Sequence, residues 1–474
     1  MKGRRDTETF LTVEDLIDCG QFQRAEDHLR AQRHAGLLGL IHRAEIHTYF
    51  DRLEEAGELL RQIQPESLTI AEAARYTLAL GEWHYWRFEY EPAEKQFQRA
   101  LHVYGIIDNE FGQAKALYYL GRIKRRQAEF EAAQQFFNQA FELVKDHKGQ
   151  KKDLLQALIN FNLGVCAVHL GQLDTAADFY SLAMVPLNKL EHGKHYGLTL
   201  NSYSTLLMRK GKYEESLSVL KEAISIFQRS PVSADLGAAM NNMALTLIRM
   251  GRFDEAGNLL QESLELCQRA GDIAGLSVAL ETLAQLCLES QDLRQAEKYA
   301  TEAIEQADLS HNDFVKAEAL IALGRVELKR SDFYAAAKPL KEALTLGEKL
   351  GNKMLQAEIM LYLAECEFPI RPVVAQERLT LAREILEDHP HVWFSQEIER
   401  ISSRAKGERI RITPDNWLLI NGNLLPNWYA AKEAVETFLV KNALRQSEGN
   451  MSKAGEIIGI SKVHVRDKKM EYNL

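Results

Sequence analysis

The sequence predicts an all-α chain in which a long array of helix pairs is followed by a small helix-turn-helix, with a short β-hairpin between the two. Three observations carry this. Over 474 residues there are only 10 prolines and 28 glycines, and Ala, Leu, Glu, Gln, Lys and Arg dominate, residues that lose little side-chain freedom in a helix. That length exceeds one compact core, so either several domains or a quasi-linear array is required. An internal repeat decides for the array.

The repeat is seen in "FEYEPAEKQF", "AEFEAAQQFF", "GQLDTAADFY", "GKYEESLSVL", "GRFDEAGNLL" and "SDFYAAAKPL". A small residue recurs at Ala25, Ala56, Ala93, Ala133, Ala176, Ser216, Ala256, Ala296 and Ala336, mostly 40 residues apart. Three positions before each stands a large one: Phe22, Leu53, Tyr90, Phe130, Leu173, Tyr213, Phe253, Leu293 and Phe333. Twelve positions before lies a second small residue: Gly81, Gly121, Gly164, Ser204, Ala244, Ala284 or Gly324. Two small positions let helices cross at close range, with the intervening large residue expected to plug the turn. In this pattern the chain resembles the tetratricopeptide repeat family over residues 8–390, as nine repeats plus a degenerate tenth, "VVAQERLTLAREIL", with Pro372 at its plug position. Such an end repeat serves as a cap.

The resemblance implies a right-handed superhelical solenoid whose inner groove, lined by the first helix of each pair, binds a peptide or protein. The groove candidates are Tyr85, Tyr118, Arg122, Arg126, Asn201, Arg209, Asn241 and Arg249. Asn201 and Asn241 occupy equivalent places, and spaced amides can pair with an extended backbone; an idle solvated amide fits them equally. The basic run "GRIKRRQ" reads as a solvated face before it reads as a site for an acidic partner.

From residue 391 the pattern changes. Residues 391–428 read as a capping helix and a hairpin connector, with Asn421-Gly422 as the turn between "WLLI" and "NLL". Residues 429–474 read as a helix ended by Gly449, a short helix broken by Gly459, and a last helix capped by Ser461. The residues Gly449, Asn450, Ser452, Lys453, Ala454, Gly459, Ile460, Ser461, Val465, Arg466 and Lys468 make this stretch similar to the Fis-type helix-turn-helix of NtrC-like enhancer-binding regulators. The resemblance implies double-stranded DNA as partner, a homodimer through residues 430–447, and contacts from Lys453, Ser461, Lys462, His464, Arg466 and Lys468. Arg466 is the base-edge candidate and the lysines are phosphate clamps. Gly455, Asp467 and Lys469 depart from the pattern, so a module that only dimerises or contacts a partner stays open beside DNA reading. Gly455, standing where Ala is usual, is expected to loosen the first short helix by up to ~1 kcal/mol.

The net charge of -9 argues against a polyanion-coating protein and confines any nucleic-acid contact to a local surface. No apolar run of signal-peptide or membrane-spanning length occurs, so a cytoplasmic, non-membrane protein is expected. The five cysteines are scattered and suggest buried thiols, with neither a disulfide framework nor a metal site. No GxxxxGK[ST], HExxH or GxSxG occurs, and no cofactor or enzymatic activity is expected. His192 with His195, and His389 with His391, read as surface-loop residues without a further ligand set.

Overall fold

The computed structural model describes residues 12–31, 36–190, 192–229, 234–368, 371–389, 391–405, 410–412, 418–420 and 428–471. The chain divides into two compact units, residues 1–266 with 388–390 and residues 267–387 with 391–474.

Helices follow one another in pairs. In the first unit they are α1 (Val13–Asp18) and α2 (Phe22–Ala31), α3 (Gly36–Tyr49) and α4 (Leu53–Arg61), α5 (Ile70–Trp86) and α6 (Tyr90–Ile106), α7 (Glu110–Arg126) and α8 (Phe130–Val144), α9 (Gln150–His169) and α10 (Leu173–Lys189), α11 (Gly193–Arg209) and α12 (Tyr213–Phe227), and α13 (Ala234–Arg249), which leads into α14 (Phe253–Ala270). The second unit holds the end of α14, then α15 (Ile273–Glu289) and α16 (Leu293–Leu309), α17 (Asp313–Lys329) and α18 (Phe333–Lys349), α19 (Lys353–Glu367) and α20 (Pro372–Asp388), and a single helix α21 (Val392–Ala405). The degenerate tenth pair is therefore formed. Pro372 is the first residue of α20, where its missing N–H leaves no helical bond unmade.

The repeated small residues set the packing. All nine, from Ala25 to Ala336, are fully buried. Ser216 is the one polar member, and its hydroxyl is satisfied by donating to the Ser204 carbonyl at 3.2 Å and lying 3.3 Å from Thr246 Oγ1. The large residues expected to plug the turns pack there against the core, and a second residue fills the space between the helices. Tyr90, Phe130 and Leu173 are only half-buried at the helix starts. Seven residues later, Phe97, Phe137 and Tyr180 are buried and lie where a Cβ on Gly81, Gly121 or Gly164 would fall. Size is traded across this contact. Gly324 faces Leu340, whereas two alanines, Ala284 and Ala300, stand at the corresponding places one repeat earlier. The turns also repeat: Gly171, Gly211 and Gly251 have φ of 74°, 72° and 74°, and Phe88, Ala128, Gln291 and Ser331 adopt the same left-handed conformation at the equivalent positions.

Of the cysteines, Cys166, Cys267 and Cys366 are buried, while Cys19 and Cys287 are partly exposed, against the expectation for all five. No helix among the described residues is long and apolar enough to cross a membrane.

Strand β1 (Ile410–Ile412) pairs antiparallel with β2 (Leu418–Ile420), Arg411 opposite Leu419. The described part of "WLLI" thus pairs with the strand preceding it. The expected Asn421-Gly422 turn lies outside the described residues. Helices α22 (Trp428–Gln446), α23 (Met451–Ile458) and α24 (Lys462–Glu471) follow.

Candidate functional site

In the first unit the odd-numbered helices face inward around a cavity of about 530 Å³. The array curls until its first helix pair meets later ones. Asp18 of α1 accepts from Lys115 Nζ of α7 at 3.1 Å, Asp15 lies 3.7 Å from Lys151 of α9, and a Cβ on Gly20 would strike His192.

One wall is an ionic lattice centred on Arg75, itself 4% exposed. Its Nε donates to Glu45 Oε1 at 2.9 Å, Nη1 donates to Glu14 Oε1 at 2.9 Å, and Nη2 lies 3.2 Å from Asp18 Oδ1. Burial by itself would raise the Asp18 carboxyl, but Arg75 and Lys115 outweigh it and hold the group at about 2. Glu82, beside them, is pushed upward by burial.

The opposite character is supplied by α7. Arg122, Arg125 and Arg126 share one face at i, i+3 and i+4 and line the cavity. The Arg122 guanidinium lies 4.5 Å from the Tyr85 ring centroid, 5.1 Å from Trp86, 5.6 Å from Tyr118 and 5.4 Å from Tyr119. Such ring faces attract the cation without neutralising it. Arg125 Nε is buried and makes no hydrogen bond. Burial, then the neighbouring Arg122, lowers the pKa of Arg125. The "GRIKRRQ" run is accordingly not a solvated face throughout: Arg122 and Arg125 are partly buried and Arg126 is exposed at the cavity, while Lys124 turns away from it to Glu94 and Glu129, because four consecutive positions sweep a full helical turn.

Other predicted groove residues are placed as follows. Tyr118 and Arg126 line the cavity with Arg122, and the buried Tyr85 supports Arg122 from behind. Asn201, Arg209, Asn241 and Arg249 do not line it. Asn201 accepts through Oδ1 from Asn242 Nδ2 at 2.9 Å, and Arg209 Nη1 donates to the Val168 carbonyl at 3.1 Å, so both have structural partners. Asn241 Oδ1 is buried without one.

Asn162 was not singled out by the sequence. It is 2% exposed, donates to the Leu158 carbonyl at 2.8 Å, and presents an Oδ1 with no partner in the wall of the cavity. Its signal was available, since it stands two residues before Gly164 as Asn242 stands two before Ala244.

The histidines also depart from expectation. His192 and His195 open α11, line the cavity and are only partly exposed, their Nδ1 atoms 3.0 Å apart. Burial lowers the pKa of both, and for His195 the neighbouring His192 and Arg122 lower it further. His391 packs on the Phe394 ring at 4.5 Å. No cluster of three potential metal ligands occurs among the described residues.

The C-terminal helices form a small core of Val440, Ala443, Ala454 and Val465. Asn450 caps α23 by accepting from Ser452 N and Lys453 N, and Gly459, at φ 72°, ends it. Ser461 Oγ accepts from His464 N at 3.2 Å, which makes Ser461 the expected cap of α24. Lys453, Lys462, His464 and Arg466 are exposed. Lys468 Nζ instead reaches Glu436 Oε2 at 2.9 Å, tying α24 to α22. Arg466 and Asp467 pair at 3.3 Å while more than half exposed. Val435, Phe438 and Leu439 on α22 remain partly buried. Lys469 is partly buried and Met470 beside it is 68% exposed.

Gly455 has a steric reason the sequence did not show. A Cβ there would be driven into the Ile460 carbonyl of the turn. Gly455→Ala is therefore expected to weaken the module by ~1–3 kcal/mol, despite the ~1 kcal/mol of helix propensity that alanine adds. Amide hydrogen exchange over 451–471 in the full chain measures this, and unchanged or stronger protection would contradict it.

Sequence profiles described as tetratricopeptide repeat match residues 120–187, 195–256 and 235–308. These segments carry tetratricopeptide repeats. No curated protein sequence matches the chain. Among solved structures, the apo quorum sensor NprR from B. thuringiensis is similar at a TM-score of 0.56 and 16% identity, covering 73% of this chain and 98% of NprR. NprR in complex with its cognate peptide NprX gives 0.52 at 14% identity, over 75% and 100%. A Rap protein complexed with competence and sporulation factor gives 0.53 at 15% identity, over 72% and 96%. At these identities the likeness is one of fold.

Proposed function

We propose that this chain is a cytoplasmic bacterial transcriptional regulator: the tetratricopeptide cavity of its first unit receives a short peptide, and its C-terminal module, similar to a Fis-type helix-turn-helix, binds DNA as a dimer. The observation that carries the first half is the set of unmatched buried polar groups around one cavity, Arg125 Nε and Asn162 Oδ1, beside the partly buried Arg122. A peptide offers both an anion and N–H donors to such groups. The similar fold of a quorum sensor solved with its cognate peptide supports the same reading. The second half is supported by the capped helix, left-handed turn and capped helix over 450–471, with Lys453, Lys462, His464 and Arg466 exposed together. Ligand binding regulates only if the peptide favours one state of the chain over another.

A second reading is an interaction scaffold whose module serves dimerisation or partner contact. The Arg466–Asp467 pair and the exposed Ile457, Ile460 and Val463 favour it, because an anion and apolar side chains suit a protein surface better than phosphates. Sequencing the fragments that the purified full chain retains from sheared genomic DNA separates the two. The regulator reading expects a recurrent motif with half-sites about one helical turn apart. Recovery without any recurrent motif favours the scaffold.

A further inference from the structure

We propose that the ligand of the first unit's cavity bears a carboxylate, bound by the guanidiniums of Arg122, Arg125 and Arg126. The inference rests on the peptide-binding reading of the same cavity.

Several other cations held within the packing are matched by carboxylates, although Arg209 donates only to the Val168 carbonyl. Arg75 has Glu14, Asp18 and Glu45, Lys115 has Asp18, Arg325 has Glu289 at 2.5 Å, and Arg400 has Glu365 and Glu397. The three cavity arginines of α7 form no ion pair among the described residues. None of the carboxylates that share the wall forms an ion pair with them: Asp18 and Glu45 are taken by Arg75, Glu82 acts on Arg122 only from beyond ion-pair distance, and Asp51 and Asp235 pair with none of the three. Arg122 and Arg125 are partly buried and Arg126 is exposed beside them; like charges clustered and partly desolvated are costly when unpaired, and an incoming anion relieves that cost. Guanidinium forks match a planar carboxylate in two parallel hydrogen bonds. Asn162 Oδ1, an acceptor with no donor, then takes an N–H from the same ligand. A carboxylate together with an amide N–H describes either a free peptide C-terminus or an Asp or Glu side chain within a peptide.

The test uses the full chain and three pools of randomised pentapeptides: free acids lacking Asp and Glu, the same sequences amidated, and amidated peptides containing Asp and Glu. Retained peptides are identified by mass spectrometry after gel filtration. The expected result is roughly tenfold or greater retention of the first or the third pool over the second, the scale of a charge-assisted hydrogen bond. Preference for the first assigns a C-terminal carboxylate, and preference for the third an acidic side chain. Arg125→Gln with Arg126→Gln should abolish the preference, whereas Lys124→Gln, on the outer face, should keep it; matching circular dichroism shows that both variants fold. Equal retention of all pools, or a preference that survives the double substitution, overturns the inference and leaves peptide binding standing. Retention of no pool overturns the peptide-binding reading itself.

Discussion

Arg75→Met should destabilise the first unit by ~3–5 kcal/mol, the scale for removing one partner from a buried ionic group. The substitution keeps the apolar stem and strands Glu45 and Asp18, which are 3% and 9% exposed, without their shared cation. Denaturant unfolding of the full chain, followed by hydrogen exchange resolved over α1, α3 and α5, checks this. Loss confined to a few tenths of a kcal/mol would show that water reaches the lattice. Acid sensitivity should change with it. The Asp18 carboxyl lies below its ordinary 3.8, at about 2, so its stabilising contribution is complete above pH 3.8 and is lost as pH falls through 2. In the variant only Lys115 still holds it down, and acid unfolding of α1 should begin at higher pH.

The lattice also shows where sequence reading stopped. Ala and Gly at fixed phase announced the helix pairs because the same close crossing recurs every repeat, and all nine small positions are indeed buried. Arg75 has no such periodic signal: its partners lie 30, 57 and 61 residues away, and only the curling of the array brings them together. Helical phase has a similar limit. In α9 Phe161 and Asn162 both reach the cavity, although one residue along a helix turns the side chain by about 100°, so phase alone does not single out Asn162. Phe130, which reads as the plug of the turn, packs there half-buried against the core, while the contact with Gly121 is made by Phe137, two turns further on. "EHGKHYG" resembled a loop because glycine is common there, but Gly193 begins α11 and carries both histidines inward. The module's order of helices, the Gly459 break and the Ser461 cap were legible, since they act through local hydrogen bonds and backbone conformation. The steric need for Gly455 was not, because it depends on the carbonyl of a residue across the turn.

The second large effect concerns DNA. Lys453 and Lys462 are exposed and without carboxylate partners among the described residues, whereas Lys468 is engaged by Glu436. Two such lysines in each of two copies imply about four phosphate contacts, and hence affinity falling roughly a hundredfold between about 50 and 200 mM salt. Arg466 must leave Asp467 to reach a base edge, so Arg466→Ala should cost ~1–3 kcal/mol of specific binding, while Asp467→Asn should strengthen binding by removing an anion from the phosphate-facing surface. The direct measurement is fluorescence anisotropy of the full chain on mixed duplex DNA across that salt range, with both variants alongside. The proposed regulator predicts a steep salt dependence, loss with Arg466→Ala and gain with Asp467→Asn; salt-insensitive or absent binding, indifferent to both substitutions, would contradict it.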